Sequence, residues 1–523
     1  MELLLFLIPF AIAWFSSIAV KIDGSDNAYH LLMISAIRKN GNSFIKEMPY
    51  FVSRPRHSYP QFLHWVFSYF SEGKVLKFAK YTGVLSHLFS GIATYMFVKW
   101  LFPYLVGEGL TISYSYFMIA VAMVYALSPL SYDLVNAKNV GFSARGLGLF
   151  LGQVLTYLTI VYLFNGNILY LLCASFFAVL IYMSSAFAMQ YVLFFSLVVA
   201  ILFLDFYLLI PSIGGLIIYF LFLPKVGLEY FKGQYTHKKL YSKYLGEIFI
   251  LKTRHSVWRD LIFDFWKKLS LSLKGKESLV KTIQYITTNP IVNLLMGIPY
   301  LIILSMYLFG DVGFYTGILV KIVNIGLILF LATSFRLTRF LGEPERYVEF
   351  NLSIISVLTV VFFNDKFLIL VILGVLCFTF IFLRIFLAKK LMGKARSAAN
   401  KEDLQQIILF IEEASLHKNI KVVSNRSEYN KTLMSTKYQV FRHPLFEEYI
   451  GKFHFTDLHK NAYHYIENDQ LLPVMKEFEV NFLVYLKEES NENFISKLRS
   501  DTRLSLVKEY DNLLFFEYKL DAA

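Results

Sequence analysis

Apolar residues in this chain gather into long runs that carry almost no charge, separated by polar stretches of very unequal length. The runs fall near 3–20, 82–102, 110–130, 146–164, 168–184, 187–204, 207–224, 291–310, 315–334, 350–363 and 367–388. Runs of roughly 17–23 residues are long enough to cross the ~30 Å hydrocarbon core as helices. The pattern therefore predicts a mainly α, polytopic transmembrane helical bundle of about eleven spans. The first run, Leu3–Val20, has no basic leader and no small-residue cleavage site, and other spans follow it, so it reads as a retained helix. The tenth is short and is expected to tilt or to draw in the residues before it.

Counting crossings sorts the polar stretches. Segments 21–81, 131–145, 225–290, 335–349 and 389–523 fall on one side of the membrane. The other side receives short links such as Phe102–Gly109, Asn165–Asn167 and Asn364–Lys366. Transporters usually divide functional groups between the midplane and both faces. A chain working at one surface has this one-sided layout.

Hydrophobicity falls after Lys389. Leu404, Ile407, Ile408 and Ile411 recur on one face of a helix over Lys401–Lys418. Ile420–Val423 and Phe482–Tyr485 read as strands and Asn491–Leu498 as a helix. Leu504–Tyr518 reads as a hairpin turned at Asp511-Asn512. The organisation expected is a transmembrane domain, 1–388, with a large first loop 21–81 and an amphipathic segment 225–290, followed by a small soluble α/β domain, 389–523. In 225–290 aromatics alternate with Lys and Arg, as in Tyr235–Tyr241, which suits a helix lying in the headgroup plane.

Composition sharpens this picture in one respect. Of 523 residues, 56% are hydrophobic and 17% charged, against about 25% charged in soluble domains, which excludes a soluble enzyme and a disordered chain. The net charge of +13 is read as Lys and Arg flanking spans and meeting anionic headgroups or ligands, with no nucleic-acid partner. The two cysteines, Cys173 and Cys377, sit inside apolar runs and frame neither a disulfide network nor a metal site.

Candidate chemistry begins directly after the first helix, at Asp23-Gly24-Ser25-Asp26-Asn27-Ala28-Tyr29-His30. A carboxylate at the headgroups can take a proton from an acceptor hydroxyl or hold a divalent cation. The plainer reading of Asp26 is an N-cap, and of Asp23 a solvated acid. Arg54, Arg56 and His57, with Ser58, Tyr59, Pro60, His64 and Trp65, form a cationic and aromatic group suited to phosphate recognition or to interfacial anchoring. A third group is Arg336, Arg339, Glu343, Glu345, Arg346, Tyr347 and Glu349, where charge at a span boundary is expensive unless paired or used. It can clamp a phosphate, or close on itself as a surface salt-bridge knot. Asp133, Asn136, Asn139, Ser143 and Arg145 make a weaker fourth group, in which Asp133 can supply a second metal ligand or end a helix.

The stretch Gly24-Ser25-Asp26 with Tyr29-His30, and Ser58-Tyr59-Pro60 later in the same loop, resembles the Gly-x-Asp, Asp-x-x-Tyr-His and Tyr-Pro elements of oligosaccharyltransferase catalytic subunits. Those are GT-C fold membrane glycosyltransferases that use polyprenyl-phosphate-linked sugars. The residue-level likeness covers only the first loop; beyond it the likeness lies in layout. The resemblance implies a transferase, inverting the anomeric centre, with Asp26, Asp23 and Asp133 as catalytic acids and Asp26 and Asp133 as ligands of a divalent cation, Mg or Mn. It implies Arg336, Arg339, Arg346, Arg56 and His57 at the donor phosphate, and Tyr29, His30, Tyr59, Glu345 and Tyr347 lining the substrate. Its partners would be membrane lipids, the polyprenyl-phosphate sugar donor and a glycan, lipid or protein acceptor, on the extracytoplasmic face of the cell membrane. The positive-inside rule points the other way at Lys389, Lys390, Lys394 and Arg396, although long loops translocate largely regardless of charge.

Two departures from the family pattern narrow the expectation. The tail has no Trp-Trp-Asp motif, and the second loop has one acid in place of an acidic pair, so transfer of an oligosaccharide to Asn is disfavoured. Transfer of a single sugar is expected instead. The rival readings are a lipid-linked glycan transporter, for which only Ser184, Ser185 and Gln190 stand out inside the spans, and a glycan polymerase or ligase.

Overall fold

The computed structural model describes residues 2–19, 27–53, 56, 58–79, 81–132, 142, 144–243, 265–275, 289–396, 401–416, 418–426, 433–441, 447–459, 466–487 and 492–519. The chain divides into two compact units. One comprises Met1–Gly24, Lys77–Lys225 and Gly246–Lys389; the other comprises Ser25–Leu76, Val226–Leu245 and Lys390–Ala523.

The first unit is helical: α1 (Glu2–Ala19), α2 (Thr82–Gly107), α3 (Tyr114–Leu127), α4 (Ala144–Asn165), α5 (Leu169–Ser184), α6 (Ala186–Phe203), α7 (Ile210–Phe222), α8 (Pro290–Gly297), α9 (Leu301–Ser305), α10 (Phe314–Thr333), α11 (Glu345–Glu349), α12 (Leu352–Phe362) and α13 (Phe367–Arg396). Among the described residues α2, α4, α6 and α10 are long and apolar enough to cross a membrane, and six further apolar helices are shorter. Helix α4 packs between α2 and α5, α5 against α7, α1 against α2 and α3, and α12 against α3.

Local chemistry sets several ends. Ser113 and Ser185 cap α3 and α6 by accepting from Tyr116 N and Ala188 N. The Glu108 carboxylate accepts from Tyr315 N (2.6 Å) and Thr316 N (2.9 Å) at the start of α10. Leu204 ends α6 in the left-handed conformation, φ 53°, after which Asp205 accepts from Tyr207 N and Tyr162 Oη.

The apolar run at 291–310 is not one helix. It breaks into α8 and α9 at Ile298, whose backbone leaves the helical region at φ −137° and ψ 75°. Pro299 causes this, because proline lacks an N–H and excludes the helical region for the residue before it. A hydropathy run does not register that break.

The second unit holds a five-stranded sheet built from β1 (Lys421–Ser424), β2 (Gln439–Val440), β5 (Phe482–Leu486), β6 (Leu504–Glu509) and β7 (Leu513–Tyr518), in the order β2-β1-β5-β7-β6. The small pair β3 (Tyr449–Ile450) and β4 (Phe453–His454) stands apart from it. Strands β1, β2 and β5 run parallel, and β7 is antiparallel to β5 and β6. Both faces are covered, as the near-continuous apolar strands require. Leu404, Ile407 and Ile411 of helix Lys401–Ala414 pack on Val422, Phe482 and Phe515. On the other face Leu471, Val474 and Leu498 pack on Val423, Leu483 and Phe516.

The first loop joins this sheet. Val52 N donates to Val440 O and Val440 N to Tyr50 O, both at 3.1 Å, which lengthens the β2 edge. Helix Pro224–Lys243 packs there through Gly233, where an added Cβ would lie 2.0 Å from Ser58 Cβ.

Candidate functional site

Within the first unit several helix ends converge: the starts of α2, α4, α6 and α12, the end of α3, and α11. Small residues permit the approach. A Cβ on Gly146 would meet Ser86 Cβ at 2.9 Å, and one on Gly148 would meet Ser185 Cβ at 2.5 Å. Between these ends lies a cavity with two lobes that share Leu149 and Glu349. The inner lobe is bordered by His87, Ser90, Tyr125 and Ser131. The outer lobe is bordered by Arg145, Ser185, Phe187 and Arg346.

The cavity is charged and largely withdrawn from solvent. Glu349 is 5% exposed, Glu345 1% and Arg346 9%. Buried charge persists only where it is paired, hydrogen-bonded or used. Arg346 forms an ion pair with Glu343, and its guanidinium lies 5.0 Å from the centre of the Phe187 ring. Glu345 accepts from Asn293 Nδ2 at 2.7 Å, which ties α11 to α8. Tyr347 is fully buried, packs on Phe187 and donates to Leu341 O at 3.3 Å; burial pushes its phenol above the ordinary range. The Arg346–Glu343 pair closes on itself as a salt bridge, but Glu345, Arg346 and Glu349 are buried, and Arg346 and Glu349 border a cavity.

The bundle interior is more polar than its sequence suggests. Tyr157 Oη lies 2.8 Å from Thr94 Oγ1 and donates to Ser353 at 2.6 Å. Tyr191 Oη pairs with Thr156 and donates to Asn351, whose amide donates to Ile322 O. Gln153 Nε2 donates to Tyr125 Oη at 2.7 Å. The expectation of a sparse interior is therefore corrected. Ser, Thr and Tyr escape notice in an apolar run, because Ser and Thr turn back onto carbonyls four residues earlier, as Thr94 does to Ser90 O.

The first-loop candidates of the second unit form one aromatic cluster. His30 Nδ1 and His64 Nε2 are 2.8 Å apart, with rings stacked at 5.0 Å. Tyr59 lies 5.6 Å from the His30 ring and 6.3 Å from the Tyr29 ring. Arg56 is exposed; its N–H donates to Glu447 and its guanidinium approaches Glu229 at 3.5 Å. Burial raises the Glu447 carboxyl above its usual value, partly offset by Arg56.

Asp23, Asp26, Asp133 and His57 lie outside the described residues, and of Arg336 and Arg339 only the backbone, a tight turn over Arg336–Leu341, is described. Among the described residues no three His, Cys, Asp or Glu side chains gather as a metal site. Sequence reasoning placed Glu349 among the acids that orient the clustered guanidinium groups, named Arg145 only as a member of the Asp133 group, and missed His87. A lone histidine in an apolar run gives no signal until α1 and α3 close around it, which they do through Phe10 and Tyr125.

Among solved structures the chain is similar to the oligosaccharyltransferase of Archaeoglobus fulgidus tethered with an acceptor peptide containing the NVT sequon. That likeness has 12% identity and a TM-score of 0.49, over 92% of this chain and 69% of that one. The chain is also similar to ArnT from Cupriavidus metallidurans bound to undecaprenyl phosphate, at 11% identity and a TM-score of 0.45, over 98% and 97% of the two chains. No family model matches the sequence, and no curated protein matches it.

Proposed function

We propose that this chain is a membrane glycosyltransferase that moves a single sugar from a polyprenyl-phosphate-linked donor to a hydroxyl of a glycan, lipid or other acceptor, with inversion. The observation that carries the reading is the cavity where Arg145, Arg346 and the buried Glu349 meet at converging helix ends. Guanidinium groups match phosphoryl oxygens and stabilise the charge that develops on a departing phosphate. The first-loop likeness around Asp26 supports the same assignment.

In the reaction the acceptor oxygen bonds to the anomeric carbon as the bond from that carbon to the phosphate oxygen breaks. The electron pair leaves on the phosphate, beside Arg145 and Arg346. The acceptor proton passes to a carboxylate, for which Asp26 is the candidate. The proposed chain crosses the membrane eleven times, with its large loops and C-terminal domain extracytoplasmic.

The test incubates purified protein in liposomes with undecaprenyl-phosphate-linked sugars and follows labelled sugar and released undecaprenyl phosphate. Transfer is expected, falling by about 10²–10⁴-fold in Asp26→Ala, the range for a lost general base. Arg346→Lys, which keeps the charge and loses the fork, is expected to impair transfer. Unchanged transfer in Asp26→Ala overturns the role of Asp26. Movement of a lipid-linked glycan across the bilayer without covalent transfer favours the transporter, and products of many added units favour a polymerase.

A further inference from the structure

We infer that Asn351 is a positioning residue for α11, the short helix that carries Arg346 and Glu349 to the cavity. The inference rests on the transferase reading for its consequence in catalysis, and on geometry for the anchoring. Helix α11 is five residues long, Glu345–Glu349. Arg346 N donates to Glu343 O and Tyr347 N to Pro344 O, bonds that span three residues. A helix this short does not hold itself, because its first turn fixes several residues for one hydrogen bond. Its direction has to be set from outside. Glu345, through Asn293, ties its start to α8.

Asn351 ties its end. The residue is wholly buried and stands at the break between α11 and α12, at φ −97° and ψ 5°. Its N–H donates to Val348 O at 3.0 Å, and its carbonyl accepts from Ile355 N at 2.9 Å. In the side chain, Nδ2 donates to Ile322 O of α10 and Oδ1 accepts from Tyr191 Oη of α6, both at 3.1 Å. A backbone carbonyl can only accept, so the NH₂ end faces Ile322 O and Tyr191 must donate to the other. Gly326 permits the approach to α10, since a Cβ there would lie 2.5 Å from Asn351 Nδ2. Tyr191 in turn lies 2.8 Å from Thr156 Oγ1 on α4 and stacks on Phe350 at 3.9 Å.

The amide thereby fixes α11 against the helices that wall the outer lobe. Arg346 and Glu349 border that lobe with Phe187 of α6 and Arg145 at the start of α4. Arg346 precedes Asn351 by five residues and Glu349 by two, so a turn of α11 about its axis moves both side chains relative to Arg145. A guanidinium stabilises a departing phosphate only where it is aimed at the developing charge. Asn351 touches no substrate; it holds the aim.

The experiment measures amide hydrogen exchange by mass spectrometry on the full chain in lipid nanodiscs, beside sugar transfer. Asn351→Leu matches the side chain in size and removes both hydrogen bonds. Exchange in α11 is expected to quicken about 10–100-fold, the factor for two lost hydrogen bonds, with α6 and α10 unchanged. Transfer is expected to fall about 10²-fold, the cost of a displacement near 1 Å. Asn351→Leu combined with Tyr191→Phe satisfies the partners left behind: Ile322 O keeps its helical donor within α10, and Thr156 Oγ1 bonds Gly152 O. The double variant is expected to recover the thermal unfolding midpoint but neither the protection of α11 nor transfer. A merely structural role would not separate these. The double variant also stands in for Asn351→Leu if the latter does not fold. Thr359→Val, which removes a buried hydroxyl elsewhere on α12, is the control and is expected to leave α11 exchange unchanged. Unchanged α11 exchange in the Asn351 variants overturns the inference, as does exchange quickened equally in α6, α10 and α11. Undiminished transfer with a loosened α11 overturns it too. Exchange needs no substrate, so absence of sugar transfer by the wild type would sink the transferase reading alone.

Discussion

Gly152 shows how closely single residues constrain the cavity. An added Cβ would lie 2.5 Å from Phe350 Cδ1, and Phe350 cannot yield, because its ring stacks on Tyr191 at 3.9 Å between centroids. Phe350 also borders the outer lobe, so a strain relieved there displaces a wall beside Arg346. Overpacking costs about 1–3 kcal/mol, against a gain of up to about 1 kcal/mol from replacing a helical glycine. Gly152→Ala is therefore expected to lower the thermal unfolding midpoint of the detergent-solubilised protein. Gly374→Ala, in α13 with no atom within 4 Å of the new Cβ, is the control and is expected not to lower it. Equal midpoints for the two variants would show that the Gly152 contact relaxes freely. Other residues legible from sequence, such as Arg346 and Glu345, were legible because charge at a span boundary stands out. Gly152 was not, since a glycine's role here depends on what faces it.

At the level of elements, one cap joins two distant segments. Glu108, just beyond the end of α2, neutralises the first-turn N–H groups of α10, and Thr316 Oγ1 adds a third hydrogen bond at 2.7 Å. The helix dipole favours a carboxylate at this place. Gly313 leaves it room, since a Cβ there would fall 2.4 Å from Glu108 Cδ. Glu108→Ala is expected to cost about 1–2 kcal/mol, the range of a lost N-cap. Gly313→Ala is expected to expel the carboxylate and cost a similar amount. The double variant should cost little more than either single change, because both remove one interaction. Additive losses in equilibrium unfolding would show that the two residues act separately. Hydrophobic period placed the helices around this cap but not the cap itself, since Glu108 and Thr316 are far apart in the chain.

At the scale of the whole chain, the proposed eleven crossings make a prediction about topology. In a variant lacking Cys173 and Cys377, single cysteines would be placed at Ser496 in the C-terminal domain and at Gly107 in a short link. An impermeant thiol reagent applied to intact cells is expected to label the first and spare the second. The opposite pattern would invert the proposed orientation, in agreement with the positive-inside rule at Lys389–Arg396. Labelling at both would show an even number of crossings between them.

The sequence alone determined that the chain is mainly helical, with apolar runs long enough to cross a membrane. It also located β1, β5, β6 and β7 and two helices of the α/β tail, though not β2, β3, β4 or helix Asn468–Glu477, because hydrophobic period is a property of neighbours along the chain. Tertiary structure alone decided the rest. It joined the first loop to the β2 edge. It also placed His87 and Glu349 on one cavity. Each of those outcomes depends on groups remote in sequence coming within a few ångströms of one another, and on the burial that makes an unpaired polar group costly.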